Sequence, residues 1–107
     1  MIRKILWVAG CAVFLAGGVA QAANPAAGKE KSKSCAACHG ADGNSTAPDF
    51  PRLAGQHYDY LVKALSDYKS GERKNAIMAP QAANLSKRDI EDLAAYFSQQ
   101  PGLVVKY

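Results

Sequence analysis

Apolar residues recur at helical spacing in two stretches of this chain. Between 58 and 69, Tyr58, Leu61, Leu65 and Tyr68 fall on one side of a helix, while Asp59, Lys63, Asp67 and Lys69 fall mostly elsewhere. Gly71 stops that helix. Further on, Ile90, Leu93, Ala94 and Phe97 line one face of a last helix. Ser86 opens it as a capping-box residue, with Asp89 in the place usually taken by Glu or Gln, and Pro101-Gly102 ends it. A shorter helix runs from Asn24-Pro25 into Cys35, because Asn24 can cap it and Pro25 suits its first position. Ala26, Ala27, Glu30 and Lys31 are good helix formers, and Lys29, Lys31 and Lys33 read as a solvated face.

The stretch GADGNSTAPDFPRLAG, from Gly40 to Gly55, is too rich in Gly, Pro, Asp, Asn and Ser for a regular element. A loop that long in a small domain is usually functional or wrapped around something. Nothing alternates over a useful strand length, and the tail from Leu103 to Tyr107 is too short to pair as a sheet. The pattern therefore predicts an all-α, loop-rich domain with at least three helices.

The apolar run from Ile5 to Val19 is of a different kind. It follows Arg3 and Lys4 and leads to Ala20-Gln21-Ala22, the layout of a secretory signal peptide with a small-residue cleavage site. At 15 residues, interrupted by Gly10, Gly17 and Gly18, it falls short of the ~20 that span a bilayer. Cys11 sits inside the run rather than at its end, which argues against a lipoprotein signal. Cleavage after Ala22 removes 22 of the 107 residues and leaves 85, residues 23–107, as one exported domain without stable membrane insertion. The expected compartment is the periplasm. A domain this small buries only roughly 60% of its unfolded surface and commonly needs a staple.

Removing the leader also changes the charge and the cysteine count. Eleven of the 13 basic residues remain against nine acidic ones, a net of +2. Such a mild balance argues against nucleic-acid binding, which needs a clustered basic face. Cys11 departs, and a disulfide between the remaining Cys35 and Cys38 would close too small a loop to stabilise much. The pair needs another purpose.

Cys35-Ala36-Ala37-Cys38-His39 is the pattern of covalent haem attachment. On a helical turn, residues three apart face the same way, so two thiols can reach the two vinyl groups of one porphyrin. His39 can then offer a neutral ring nitrogen to the iron. A thioredoxin-like redox pair would need a βαβ context, and a zinc site would need further ligands where only His57 is left. The sixth iron position decides the chemistry: a filled one suits electron exchange, an open one admits gases or peroxide. Met78, the only methionine after the leader, lies in a weakly structured segment between the polar run Glu72–Asn75 and Ala79-Pro80. A lone methionine is ordinarily core filler, but this one is far enough from His39 to present sulfur from the opposite side of a porphyrin. His57, at the start of the second helix, is the rival ligand, but it reads as a partly exposed helix-start histidine.

Cys35–His39, Pro51-Arg52-Leu53-Ala54-Gly55, Met78 and the run Asp89–Tyr96 stand in the order and rough spacing of class I cytochromes c. The chain resembles these over nearly all of its length after the leader. Small bacterial monohaem members look similar, as do single halves of the bacterial dihaem members, which share a run like Gly71–Asn75. The resemblance implies a small cytochrome c fold of three to five helices, with long loops wrapped around one covalent haem c. It implies thioethers to Cys35 and Cys38, and His39 and Met78 as axial iron ligands. It makes Pro51 the proline whose carbonyl holds the proximal histidine ring, Leu53 a haem-packing residue, and Gly28 with Tyr96 the point where first and last helices cross. Arg52 stands where the family varies and receives no role.

The expected function is one-electron carriage between respiratory redox proteins, by a monomer that is not an enzyme. Leu53, Leu65, Ile77, Leu93 and Phe97 would form an apolar shell against water. Lys29, Lys33, Lys69, Arg73 and Lys74, clustered in sequence, are the candidate docking charges. The competing functions are a five-coordinate gas-binding or sensor module, in which Met78 is only core, and a haem subunit of a larger oxidoreductase complex. A peroxidase would need a distal His and Arg pair, and the chain offers no obvious one.

Overall fold

The computed structural model describes Gly10 and residues 22–102. The leader, apart from Gly10 and Ala22, and the tail from 103 to 107 lie outside the described residues. Five α-helices are described: α1 Pro25–Lys31, α2 Ala36–His39, α3 Tyr58–Ser70, α4 Met78–Ala83 and α5 Lys87–Ser98. A 3-10 turn, Ser32–Ser34, joins α1 to α2, and no strand occurs among the described residues.

Side chains at the helix ends account for most of these boundaries. Asn24 Oδ1 accepts from Ala26 and Ala27 N–H, with Pro25 at the first helical position. Gly71, at φ 89°, closes α3 in the left-handed conformation that glycine adopts without strain, its N–H reaching Asp67 O. Ser86 and Asp89 form the reciprocal capping box. Helix α5 stops at Ser98, short of the expected Pro101-Gly102, since the residue before a proline is pushed out of the helical region.

The segment around Met78 corrects the sequence reading, for it is a helix rather than weakly structured chain. Asn75 Oδ1 accepts from Ile77 and Met78 N–H, each at 2.9 Å, and Asn75 O accepts from Ala79 N–H at 2.9 Å. Pro80 falls in the first turn of α4, where its missing N–H costs no helical bond.

Helix α5 is the centre of the fold, packed against both α1 and α3, and α3 also packs on α4. Leu61, Leu93, Ala94, Tyr96 and Phe97 form the buried cluster, with Leu53, Tyr58, Val62, Leu65 and Leu85 against it. Gly28 lets α1 approach α5. A Cβ at that position would lie 2.6 Å from the carbonyl carbon of Asp92 and 2.8 Å from Tyr96 Cβ. The Tyr96 hydroxyl donates to Ala41 O, tying α5 to the loop after α2.

Asp92 is the largest surprise in this crossing, because a carboxylate on α5 is only 1% exposed. It accepts from Asn24 N–H at 2.8 Å and Lys31 Nζ at 2.7 Å, and pairs with Arg88 Nε at 3.3 Å. Lys31 is therefore not part of a solvated face. It is half-buried and bridges Asp89 and Asp92, whereas Lys29 and Lys33 are exposed as expected. Burial pushes the Asp92 carboxyl up, but the Asn24 N–H and the two cations outweigh it and hold it below its ordinary value. A carboxylate depressed in the fold contributes stability above its unfolded pKa of about 4, and that stability is lost as pH falls through the lower folded value. Asp92→Asn is expected to be less stable at neutral pH by about 2 kcal/mol and to show a flatter loss of stability on acidification. Urea melts from pH 7 down to pH 3 measure both, and an unchanged acid slope would remove Asp92 from that titration.

Candidate haem site

Helix α2 is a single turn that carries the cysteine pair. Cys35 O accepts from both Cys38 and His39 N–H, at 3.2 and 3.0 Å, so Cys35, Cys38 and His39 sit on one tight turn. Both thiols are free and half-buried. Burial pushes the Cys35 thiol up, against a Ser34 hydrogen bond that pulls it down. Among the described residues no group of three or more His, Cys, Asp or Glu side chains is placed to hold a metal ion.

The loop after α2 returns Pro51 and Leu53 to this turn. Gly43 does much of the holding: its carbonyl accepts from Leu53 N–H at 2.8 Å and Ala54 N–H at 3.2 Å. At φ 84°, with the space for a Cβ taken by Ala54 N and the Phe97 ring, both 2.8 Å away, this position accepts only glycine. His39, 6% exposed, has its Nδ1 2.8 Å from Pro51 O. A carbonyl oxygen can only accept, so Nδ1 carries the ring proton and donates it, leaving the Nε2 lone pair for a metal. Phe50 stands edge-on to the same ring, centroids 6.3 Å apart.

These residues open onto a cavity of about 340 Å³. Cys35, Cys38, His39, Pro51, Leu53 and Met78, all singled out from sequence, line it together. Leu61, Ala64, Leu65, Leu93, Ala94 and Phe97 supply its apolar wall, and Ser34, Arg52, Gln56, Tyr60, Arg73 and Gln81 are among its polar lining. Two thiols, an imidazole with a free nitrogen, a thioether and an apolar wall fit a flat apolar macrocycle with a central metal.

Other candidates fall elsewhere. His57 is exposed at the N-cap of α3 and does not line the cavity. Ile77, expected in the apolar shell, lines the cavity and is 56% exposed. Of the five candidate docking charges, Arg73 alone lines the cavity. Lys33 pairs with Glu30, Lys69 Nζ donates to Leu85 O, and Lys29 and Lys74 are exposed. Arg52 donates to Ser45 O from its Nε.

The family model described as Cytochrome c matches residues 25–101, from the first residue of α1 to the turn after α5. The chain belongs to the cytochrome c family. Its cofactor is accordingly haem c, covalently bound, with Cys35 and Cys38 in the Cys-x-x-Cys-His position. Cytochrome c4 of Pseudomonas aeruginosa is 52% identical over 84 residues, covering 78% of this cytochrome and 42% of the relative. Cytochrome c-554(548) of Halomonas halodenitrificans is 46% identical over 82 residues, covering 74% of this cytochrome and 99% of the relative. The crystal structure of reduced cytochrome c4 from Pseudomonas stutzeri superposes with a TM-score of 0.73 at 48% identity, over 78% of this cytochrome and 48% of that chain. The cytochrome thus spans less than half the length of these cytochrome c4 relatives and nearly the whole of cytochrome c-554(548). Its fold is the all-α cytochrome c fold, with five helices among the described residues, at the upper end of the expected three to five.

Proposed function

We propose that this cytochrome is a one-electron carrier between respiratory redox proteins of the periplasm, with thioethers at Cys35 and Cys38 and axial ligands His39 and Met78. The observation that carries the reading is that Met78 and a His39 with its Nε2 free wall the same apolar cavity. Haem c supplies the Fe(III)/Fe(II) couple. The Pro51 carbonyl fixes the His39 ring and raises its basicity as a ligand. The Met78 sulfur, softer than a second imidazole, favours the reduced state and raises the potential. Leu53, Leu65, Leu93 and Phe97 keep water from the site, so little solvent reorganises when charge moves.

On this reading no substrate bond is made or broken, and the protein is not an enzyme. The leader, residues 1–22, is removed after Ala22, and residues 23–107 act as a monomer. No helix among the described residues is long and apolar enough to cross a membrane. Such partners dock through small interfaces, quickly and reversibly.

Absorption spectra of protein purified from the exported fraction, oxidised and reduced, with and without carbon monoxide, test the proposal. The expected result is a c-type haem with a sulfur-to-iron charge-transfer band when oxidised and no response to carbon monoxide when reduced. A c-type spectrum that responds readily to carbon monoxide would instead assign an open sixth position and a gas-binding role. Absence of haem would overturn the whole reading.

A further inference from the structure

The segment that leads into Met78 is tied down by polar contacts. None of residues 71–77 belongs to the buried cluster, and Arg73, Asn75 and Ile77 line the cavity. At the start, Asp67 O accepts from both Gly71 and Arg73 N–H. At the end, Asn75 Oδ1 caps the turn containing Ile77 and Met78. Between these points Arg73 reaches back to α3 in two ways. Its Nη1 lies 3.2 Å from the Tyr60 hydroxyl, and its Cζ stands 4.8 Å above the Tyr68 ring. Tyr60 and Tyr68 are about two turns apart on α3, so one planar cation spans them. All three side chains line the same cavity as Met78.

We infer that Arg73 is a positioning residue, whose contacts with Tyr60 and Tyr68 hold the 71–77 segment against α3 and thereby keep the Met78 sulfur presented to the cavity. The inference rests on the Met78 ligation proposed above. The chemistry favours arginine specifically. A guanidinium can donate in its plane to Tyr60 while its face covers Tyr68, whereas a lysine ammonium offers a point charge that cannot do both.

The test uses the haem-loaded protein and reads the oxidised sulfur-to-iron band, the reduction potential and the response of the reduced form to carbon monoxide. Arg73→Gln is expected to weaken the band, lower the potential and raise about fivefold the share of reduced iron with Met78 detached, the size one exposed cation–π contact supports, so that carbon monoxide binds where the wild type shows no response. Arg73→Lys should fall between Gln and wild type, a graded result that a general loss of fold would not give. Tyr60→Phe should shift the same readouts less, and adding it to Arg73→Gln should change nothing further, because the hydrogen bond is already gone. If Arg73→Gln fails to fold, Tyr60→Phe and Tyr68→Leu, which keep the charge, carry the test in the same direction. A wild-type band and potential and no response to carbon monoxide in Arg73→Gln would overturn the inference while leaving Met78 ligation standing. A wild-type protein without the band would overturn both.

Discussion

Replacing Met78 with alanine is expected to leave the haem covalently attached while lowering the reduction potential by on the order of 100 mV, a fraction of the roughly 0.8 V that axial ligands set across haem proteins. Attachment survives because the substitution touches neither α2 nor the His39 to Pro51 hydrogen bond, which lie on the other side of the sequence loop from α4. The potential falls because the soft sulfur that favours the reduced state is gone. Alanine also frees space in the apolar cavity, so carbon monoxide should bind the reduced variant where it does not bind the wild type. Voltammetry and carbon monoxide difference spectra measure these effects. An unchanged potential would show that Met78 is core filler, and the sixth ligand would have to be sought elsewhere.

A large structural effect is expected at Gly28. A Cβ there meets the carbonyl carbon of Asp92 and the Cβ of Tyr96, atoms of backbone and side-chain root that cannot rotate out of the way. Helix α1 must therefore move off α5, and the move strains the hydrogen bonds from Asn24 and Lys31 to Asp92 as well. Overpacking of this kind costs about 3 kcal/mol, and the better helix propensity of alanine returns about 1 kcal/mol. The net loss of about 2 kcal/mol should lower the Tm of Gly28→Ala by about 10 °C in a domain of this size. A thermal melt of the haem-loaded variant decides the matter. A wild-type melt would mean that α1 can retreat from α5 at no cost.

What was legible in the sequence followed from local rules. The periodic apolar residues of α3 and α5, the Ser86–Asp89 box and the Asn24-Pro25 start are each set within a few residues of chain, and each appears in the structure. The Cys35–His39 spacing needs only one helical turn to make sense. The features that escaped depend on distant partners. Asp92 looks like a surface acid in a helix until the Asn24 N–H and Lys31, more than sixty residues earlier, are brought to it. Lys31 looks solvated for the same reason. Gly43 is one glycine in a glycine-rich loop, and only the approach of Phe97 and Ala54 shows that no other residue fits. Helix α4 was hidden by Pro80, whose ordinary reading as a breaker fails when an asparagine cap places it in a first turn.

His39 has one ring nitrogen committed to Pro51. With iron on the other, as proposed, the ring is pinned from both sides and can neither flip nor swing away when the metal gains or loses charge. A ligand that stands still in both oxidation states leaves the surrounding chain nothing to rebuild between one encounter and the next.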